Sequence, residues 1–472
     1  MPAEGIIPLG DSGLRRNCLG FWEVFAQSIA NIAPTATPAL VVPLAFAAVG
    51  NLSWAAYTFV TIALLLVAYQ INQFAKRSAS PGSLYIYVGQ GMGATWGVIT
   101  GWSQVIAYVV IGASVVAGAA NYVGVLVHYA VKGYDVPLTV VAIILVAVAA
   151  WYIAYRDIKL STQVMLVMEF ISVSLILVLA LAFFIKGGHL IDKAQFRLAG
   201  FNPRGIPQGL VLAVFSFVGF ESASALGHEA KDPLKTIPRA IPLSLVTVGA
   251  FFVLMSYVLV FAFQGQPASL DKSNAPLTVL AQVAGIPAFG VLIAAGALMS
   301  FFACAIACIN AGARVLFAMS RHGLFHSSAG GAHKTHATPH VAVNISGVVV
   351  LLAPLLMYLD HIGLLDIYGY LASVGTFGVL VAYVLVSIAA PMYLRKRNES
   401  SIWVVLACIG SIILMAVPFV GSLYPIPAPP YNYLPYVFLV LLAVGVARFA
   451  YLRYSQPNVI RAIQDDLIAE TT

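Results

Sequence analysis

The amino-acid sequence predicts an all-α polytopic membrane protein with about twelve transmembrane helices arranged as inverted repeats. Three observations support this class. The 472 residues are 61% hydrophobic and only 9% charged, with a mean hydropathy of +0.94. Apolar runs of membrane-spanning length follow one another along the chain. Two of these runs, the first and the sixth, are interrupted near their middles.

A transmembrane helix needs about 20 mostly apolar residues, and here such runs alternate with short charged or Gly/Pro-rich loops. The predicted spans lie near residues 21-48, 53-75, 92-127, 136-155, 161-186, 206-227, 239-264, 286-319, 340-359, 364-392, 401-420 and 432-453. Residues 1–20 are mixed and polar, without a short apolar core before a small-residue cleavage site. We therefore expect no removable signal peptide.

The distribution of basic residues predicts the orientation. With the N-terminus in the cytoplasm, 18 of the 24 Lys and Arg residues lie on the cytoplasmic side. Both termini are then cytoplasmic, because the number of spans is even. We expect a multi-pass protein of the plasma membrane (the cell's inner membrane), with the lipid bilayer as its surroundings. The net charge of +7 follows from this asymmetry and does not indicate nucleic-acid binding.

The predicted spans group into two repeats and two further helices. The divisions are a cytoplasmic N-terminal segment (1-20), a first repeat of helices 1–5 (21-186), an extracellular loop (187-205), a second repeat of helices 6–10 (206-392), helices 11–12 (393-453) and a cytoplasmic C-terminal tail (454-472). The interrupted spans, one and six, are the first helices of the two repeats.

Span one contains prolines and hydroxyl side chains in the stretch NIAPTATPALVVP at residues 31–43. An interior proline removes a helical hydrogen bond and clashes with the preceding turn. Pro34 and Pro38 therefore either kink a packed helix or break it. In a broken helix, the outer half begins near Thr35 to Thr37, with free N–H groups and the positive end of the helix dipole at the bilayer midplane. Such an end suits a carboxylate.

Span six, GLVLAVFSFVGFESASALGHEAKDP, is interrupted at residues 216–219. Its outer half-helix is expected to end near Phe215 to Phe217 with unpaired carbonyls, which suit an ammonium group. Interrupted helices at corresponding positions of two halves indicate a secondary transporter with its site at the bilayer midplane. The predicted substrate-binding residues are Ile32, Ala33, Pro34, Thr35, Ala36 and Thr37 in span one, Tyr108 in span three, and Phe215, Ser216, Phe217, Val218, Gly219 and Phe220 in span six. Tyr368 or Tyr370 in span ten is a further candidate for the wall of the site, with packing as the alternative.

Three stretches resemble the amino acid/polyamine/organocation (APC) permease superfamily. They are FSFVGFESASALGHEAKDPLKTIPRAI at 215–241, ARVLFAMSRHGLF at 313–325 with TPHVAV at 338–343, and SPGSLYIYV at 80–88. The resemblance covers nearly the whole chain. It implies a leucine-transporter-type fold, with five plus five helices in inverted repeats and two further spans. It also implies alternating-access transport of amino acids or amines, driven by an ion gradient or by exchange.

The sequence departs from the family pattern at two places. Many relatives carry a Gly-Ser-Gly-type run at the break in span one, which exposes consecutive N–H groups to a carboxylate. Proline has no N–H, so at Pro34 a hydroxyl of Thr35 or Thr37 has to replace the missing donor. The second departure is His322, where an acidic residue usually follows the arginine.

Charged residues within spans are costly and indicate function. Glu169 lies about 12 Å into span five from Ser161, at 1.5 Å per residue. Such a carboxyl group either exchanges the coupling proton or, kept neutral and hydrogen-bonded, holds helices together. Glu221 is interpreted mainly as a cap on the positive end of the inner half of span six.

His228 and Glu229 lie near the cytoplasmic end of span six. They are predicted to form an inner gate with Lys231 or Arg239, or a plain interfacial cluster. The coupling and gating candidates are therefore Glu169, Glu221, His228 and Glu229.

Other function classes lack their sequence signatures. The chain has no Gly-Lys dipeptide and so no G-x-x-x-x-G-K-[ST] motif for an ATP-driven motor. It has no G-x-S-x-G or HExxH motif of a hydrolase, and we expect no enzyme activity, cofactor or metal. Cys304 and Cys308 share a helix face and are interpreted as small packing residues. The histidines after span eight are interpreted as part of a solvated loop, with a pH sensor or a metal site as the alternatives; they are His322, His326, His333, His336 and His340.

The sequence thus predicts a secondary active transporter, a symporter or antiporter, that moves an amino acid together with a coupling proton or a counter-substrate. A carrier of polyamines or other organic amines is the alternative, using the carbonyls of span six and Glu221. A channel or a substrate-sensing receptor is a weaker alternative. A channel would favour rings of carbonyls or charges, and a receptor would bind substrate without flux.

Overall fold

The computed structural model describes residues 12–467 with the exception of 131–135, 188–189, 198–201, 203–204, 274, 425, 458–459, 461–462 and 465. Most of the predicted N-terminal segment, about half of the predicted extracellular loop and much of the predicted C-terminal tail therefore fall outside the described residues, and those divisions stay predictions. The described residues are mainly helical.

Sixteen α-helices are described. Their bounds are α1 Phe21–Ile32, α2 Val42–Val49, α3 Ser53–Ala75, α4 Leu84–Met92, α5 Ala94–Ala130, α6 Val136–Arg156, α7 Ile158–Gly187, α8 Lys193–Phe196, α9 Ile206–Phe215, α10 Pro233–Ala262, α11 Pro276–Val283, α12 Phe289–Arg321, α13 His340–Leu359, α14 Leu364–Lys396, α15 Ile402–Gly421 and α16 Leu434–Ser455.

Ten helical stretches of the described residues are long and apolar enough to cross a membrane. One of them, Phe21–Ala75, contains both predicted spans one and two, and the short apolar helix Ile206–Phe215 is the first half of span six. The prediction of an all-helical membrane protein with interrupted first and sixth spans is confirmed.

The second half of span six differs from the prediction. No regular α-helix follows the break: residues 216–221 form turns, and Ser222–Leu226 form a 3-10 helix. The next α-helix, α10, begins at Pro233, six residues before the predicted start of span seven. Proline is well accommodated in the first turn of a helix, where its missing N–H has no partner, and it marks this start.

Two long helices organise the packing around the breaks. Helix α5 packs along α12 and α14, while α1 packs against α7, α10 and α12. Large apolar side chains on α6, α7, α15 and α16 are exposed, such as Leu145, Phe170, Ile413 and Val440. Because exposed apolar surface of this extent is unfavourable in water, these outer faces are suited to lipid.

Candidate functional site

The break in span one begins where α1 ends, at Ile32. Ala33 adopts a left-handed backbone conformation with φ of 52°, and its N–H donates to the carbonyl of Ala30 at 3.1 Å. The helix resumes at Thr37 as a π-helical turn that continues into α2. Residues 33–35 therefore form a non-helical connection in the middle of the span. The hydroxyl oxygen of Thr35 lies there, buried and without a hydrogen-bond partner among the described residues.

The break in span six begins where α9 ends, at Phe215. The carbonyls of Phe215 and Phe217 accept the N–H groups of Val218 at 3.2 Å and Phe220 at 3.3 Å. The prediction that these two carbonyls are unpaired is therefore wrong. The chain closes turns on itself here, and each carbonyl keeps one further lone pair. Gly219 has φ of 96°, a conformation that L side chains rarely adopt.

The two breaks cross at Asn31 and Gly219. The Asn31 side-chain amide donates to the carbonyl of Gly219 at 3.4 Å. A Cβ atom added at Gly219 would lie 2.0 Å from the Asn31 amide nitrogen and 2.9 Å from its Cβ. The Ser28 hydroxyl, one turn earlier, donates to the carbonyl of Phe220 at 2.7 Å. Glycine at position 219 is therefore required for the break in span six to approach the last turn of α1 closely.

Glu221 lies directly after this crossing and is 1% exposed. Its two carboxylate oxygens each accept one tyrosine hydroxyl: Tyr108 of α5 donates to Oε1 at 2.7 Å, and Tyr383 of α14 donates to Oε2. The side chain makes no capping hydrogen bond to the 3-10 helix that follows. The interpretation of Glu221 as a helix cap is therefore wrong, and the carboxylate instead links spans three, six and ten.

Glu169 is buried in the middle of α7, as predicted from its position in span five. The Ser300 hydroxyl of α12 lies 3.0 Å from both carboxylate oxygens, and the Ser172 hydroxyl lies 3.3 Å from Oε2. A hydroxyl can donate to a carboxylate or accept from a carboxylic acid. This environment can therefore satisfy Glu169 in either protonation state.

Glu229 forms a buried ion pair with Arg314 of α12. Both carboxylate oxygens accept guanidinium N–H groups at 2.6 Å, and the two side chains are 0% and 1% exposed. The predicted partners of Glu229, Lys231 and Arg239, are exposed, so that part of the gate prediction is wrong. The bidentate geometry is the strong form of an Arg–carboxylate pair.

The N-terminal segment is hydrogen-bonded to the backbone of Glu229 and Lys231. The backbone N–H groups of Cys18 and Leu19 donate to the carbonyl of Glu229 at 2.9 and 3.0 Å, and the N–H of Lys231 donates to the carbonyl of Leu19 at 2.8 Å. We call residues 18–19, 229–231 and Arg314 the N-terminal closure. It holds the start of span one against the end of span six and against span eight.

His228 stands beside this closure but takes no part in the ion pair. Its Nδ1 is 2.9 Å from the Ser12 hydroxyl. Burial, with smaller contributions from the guanidinium groups of Arg16 and Arg321, lowers the pKa of His228 to about 4. His228 is therefore neutral at pH 7 and is not a charged member of a gate.

His322, the second departure from the family pattern, is buried. Its Nδ1 lies within hydrogen-bond distance of the Tyr85 hydroxyl, and its Nε2 is 2.8 Å from the carboxylate of Asp466 in the tail. The interpretation of the histidines after span eight as solvated is thus wrong for His322.

The structure brings most of the predicted site residues together. Those that are buried at or beside the two breaks are Ile32, Ala33, Pro34, Thr35, Ala36, Thr37, Tyr108, Ser216, Phe217, Val218, Gly219 and Phe220. Phe215 is half-buried and its ring packs edge-on against Tyr368, with ring centroids 6.1 Å apart. Tyr370, two residues after Tyr368 in α14, instead packs edge-on against Tyr431.

Sequence reasoning missed several residues of this region: Asn31, Ser300, Arg314 and Tyr383. Arg314 had a usable signal, because it is a charge inside the predicted eighth span and the rule applied to Glu169 applies to it equally. Asn31 is a polar residue within an apolar helix, two residues before the break at Ala33. Serine and tyrosine are common in transmembrane helices, so the sequence did not mark Ser300 or Tyr383 as site residues.

Comparison with known proteins adds a family and a fold. The amino acid permease family model matches residues 23–455. The chain is 28% identical over 359 residues to the branched-chain amino acid permease BcaP of Bacillus subtilis (strain 168), covering 72% of this chain and 73% of that protein. It is 27% identical over 354 residues to the low-affinity putrescine importer PlaP of Escherichia coli (strain K12), covering 73% of this chain and 75% of that protein.

Among solved structures, that of MhsT in complex with L-phenylalanine aligns with a TM-score of 0.61 at 12% sequence identity, covering 86% of this chain and 99% of that one. MhsT has the leucine-transporter-type fold. The inverted-repeat architecture predicted from the sequence is therefore confirmed.

Proposed function

The chain belongs to the amino acid permease family, and we propose that it moves a zwitterionic amino acid across the plasma membrane by alternating access, coupled to protons. The substrate lies between the breaks of spans one and six. One observation carries this proposal: the buried Thr35 hydroxyl has no partner among the described residues, and it precedes the positive end of the half-helix that starts at Thr37. A substrate carboxylate would accept a hydrogen bond from the Thr35 hydroxyl and lie at the positive end of this half-helix.

The amine-carrier alternative depends on Glu221 as the ligand of a cationic group. Each oxygen of Glu221 already accepts one tyrosine hydroxyl, so Glu221 offers an amine only its remaining acceptor sites. The carbonyls at the end of α9 offer an amino group the same kind of acceptor site. The zwitterion is favoured over the amine because an amine without a carboxylate leaves the buried Thr35 hydroxyl without a partner.

The breaks are closed to solvent in this conformation. Thr35 and Phe217 are both 0% exposed, so a substrate can enter or leave only after helices move. The N-terminal closure fixes one end of the bundle, and the positive-inside distribution of Lys and Arg assigns that end to the cytoplasm. Release into the cytoplasm then requires the Arg314–Glu229 pair to separate or to move as a unit.

The coupling proton is assigned to Glu169. Ser300, which binds its carboxyl group, lies one helical turn from Cys304, and the thiol of Cys304 donates to the carbonyl of Asn31 at 3.3 Å. A change at Glu169 can therefore shift α12 against the break in span one. The serine hydroxyls accommodate both protonation states, as a proton carrier requires.

Glu169→Gln fixes the neutral form of this side chain with little change of shape. We expect uptake by the variant in proteoliposomes to lose its dependence on external pH, while exchange of substrate across the membrane survives. Asp360→Asn, which changes an exposed carboxylate at the end of α13, is the matched control and should keep the parental pH profile. A parental profile in Glu169→Gln would show that Glu169 only holds α7 to α12.

The substrate charge is tested by competition between an amino acid and the amine obtained by removing its carboxylate. A thermal-shift screen first identifies the amino acid, since a ligand at a hundred times its Kd stabilises the folded state by about 2.7 kcal/mol. An amine without a carboxylate leaves the buried Thr35 hydroxyl without a hydrogen-bond partner, which costs roughly 1–3 kcal/mol. We therefore expect the amino acid to compete better than the amine, by up to about a hundredfold in affinity.

Thr35→Val should narrow this difference, because it removes the hydroxyl at nearly constant volume. Thr100→Val is the control: its buried hydroxyl donates to the carbonyl of Trp96 within α5, away from the breaks. If the amine and the amino acid competed equally well in the parent protein, the proposal of an amino acid carrier would have to give way to that of an amine carrier.

A further inference from the structure

We propose that Cys304 and Cys308 form a dithiol site beside the substrate pathway that binds trivalent arsenicals, and that its occupation stops transport. The site lies on α12 against the break in span one. The transport mechanism proposed above uses the hydrogen bond from the Cys304 thiol to Asn31 but no reaction of either thiol. Only the effect on uptake rests on the proposed function, whereas binding of the arsenical does not.

The two thiols converge on one residue of the break. The Cys304 thiol donates to the backbone carbonyl of Asn31 at 3.3 Å, and the Cys308 thiol is 3.1 Å from the side-chain oxygen of the same asparagine. They are 1% and 0% exposed, and both are free. The interpretation of these cysteines as packing residues therefore leaves out two hydrogen bonds to the crossing point of the breaks.

The spacing suits a bridging atom better than a disulfide. Residues four apart on a helix have Cβ atoms about 5–6 Å apart. A disulfide needs Cβ atoms about 3.5–4.5 Å apart, so a direct S–S bond between Cys304 and Cys308 would distort α12. One atom bonded to both sulfurs spans the larger gap. The pair is thus expected to persist as a dithiol and to react with an electrophile in which one atom can bond to both sulfurs.

An organoarsenic(III) oxide has this property. It condenses with two thiols: the bond between arsenic and oxygen breaks, two arsenic–sulfur bonds form, and the two thiol protons leave with the oxygen as water. No oxidation state changes, so no oxidant or reductant is needed.

Occupation of the site affects the break directly. Both thiol hydrogen bonds to Asn31 are lost, and the organic group on arsenic has to occupy space next to Asn31, whose amide binds the carbonyl of Gly219. Any movement of Asn31 changes the crossing of the two breaks. Because the thiols are buried here, modification occurs only when the helices open, and a bound substrate should slow it.

The test uses the full chain with phenylarsine oxide as the probe. The sequence has four cysteines, and the other two, Cys18 and Cys408, are single thiols on different elements. Intact-protein mass spectrometry should find one bridging arsenic per chain in the parent protein and in Cys408→Ala. Cys304→Ala or Cys308→Ala should each lose the bridged adduct. This readout needs no transport activity.

Uptake gives the second readout. Phenylarsine oxide should stop uptake by the parent protein, and a dithiol such as dimercaptopropanol should restore it while an excess of a monothiol should not. Each alanine variant is compared with its own untreated uptake and should resist the reagent. A bridged adduct that persists in Cys304→Ala or Cys308→Ala would overturn the site. Bridging without loss of uptake would overturn its effect on transport.

Discussion

Gly219→Leu should abolish uptake while the protein still inserts into the membrane. A Cβ atom at position 219 already lies 2.0 Å from the amide nitrogen of Asn31 and 2.9 Å from its Cβ. The flexible amide can turn away, but the Cβ moves only with the backbone of α1. A leucine therefore separates the breaks of spans one and six and fills the space between them. Uptake of labelled substrate into proteoliposomes measures this loss.

The control has to separate crowding from backbone strain, and Gly93 allows this. Its φ is 94°, close to the 96° of Gly219, but a Cβ atom there meets nothing within 4 Å. Strain of roughly 1–2 kcal/mol is therefore common to Gly93→Ala and Gly219→Ala, whereas the collision occurs only in the second. Uptake should fall in Gly219→Ala and persist in Gly93→Ala. Parental uptake kinetics in Gly219→Leu would remove the crossing point from the site.

Arg314→Gln should destabilise the protein by about 3–5 kcal/mol, since it leaves Glu229 as a buried charge without its partner. Unfolding of the purified protein in detergent, followed by heat or denaturant, measures this change. The double variant Arg314→Met with Glu229→Leu replaces both charges by apolar groups of similar size. We expect it to recover most of the stability but not parental uptake, because the N-terminal closure has lost its ion pair.

Glu399→Gln is the control for this pair. Glu399 accepts the Arg77 guanidinium at 2.8 Å, but its side chain is 41% exposed, and surface ion pairs contribute only about 0–1 kcal/mol. If Arg314→Gln were no more destabilising than Glu399→Gln, the buried pair would not hold the N-terminal closure together.

Hydropathy and proline chemistry predicted much of the fold. A helix that crosses the bilayer needs an apolar run of spanning length. The positions of most transmembrane helices along the sequence could therefore be predicted. A proline in a helix interior removes a backbone hydrogen bond, which predicted a break at Pro34 in span one, and Pro38 lies in the first turn of the helix that resumes. The part of span six after Glu221 is apolar and small-residue rich, and nothing in its composition distinguishes a 3-10 segment from an α-helix. Its conformation depends on Ser28 and Gln27 of α1, whose backbone and hydroxyl groups it contacts.

The candidate site could be predicted only where its chemistry is local. Thr35 and Gly219 stand out within their own spans. The pairs that complete the site are distant in sequence: Asn31 and Gly219 are 188 residues apart, and Glu229 and Arg314 are 85 residues apart. A single sequence contains no record of such pairings. For the same reason, the sequence relates Glu221 only to its nearest helix end, whereas its partners Tyr108 and Tyr383 lie 113 and 162 residues away.

The central claim is that one amino acid site, formed by the two breaks, opens alternately to each side of the membrane. Counterflow tests it most directly, with proteoliposomes loaded with the unlabelled amino acid and diluted into a trace of the labelled one. The account predicts a saturable, transient accumulation of label above its equilibrium level in the parent protein and none in Gly219→Leu. Flux that rises linearly with concentration without counterflow, or binding without flux, would contradict it.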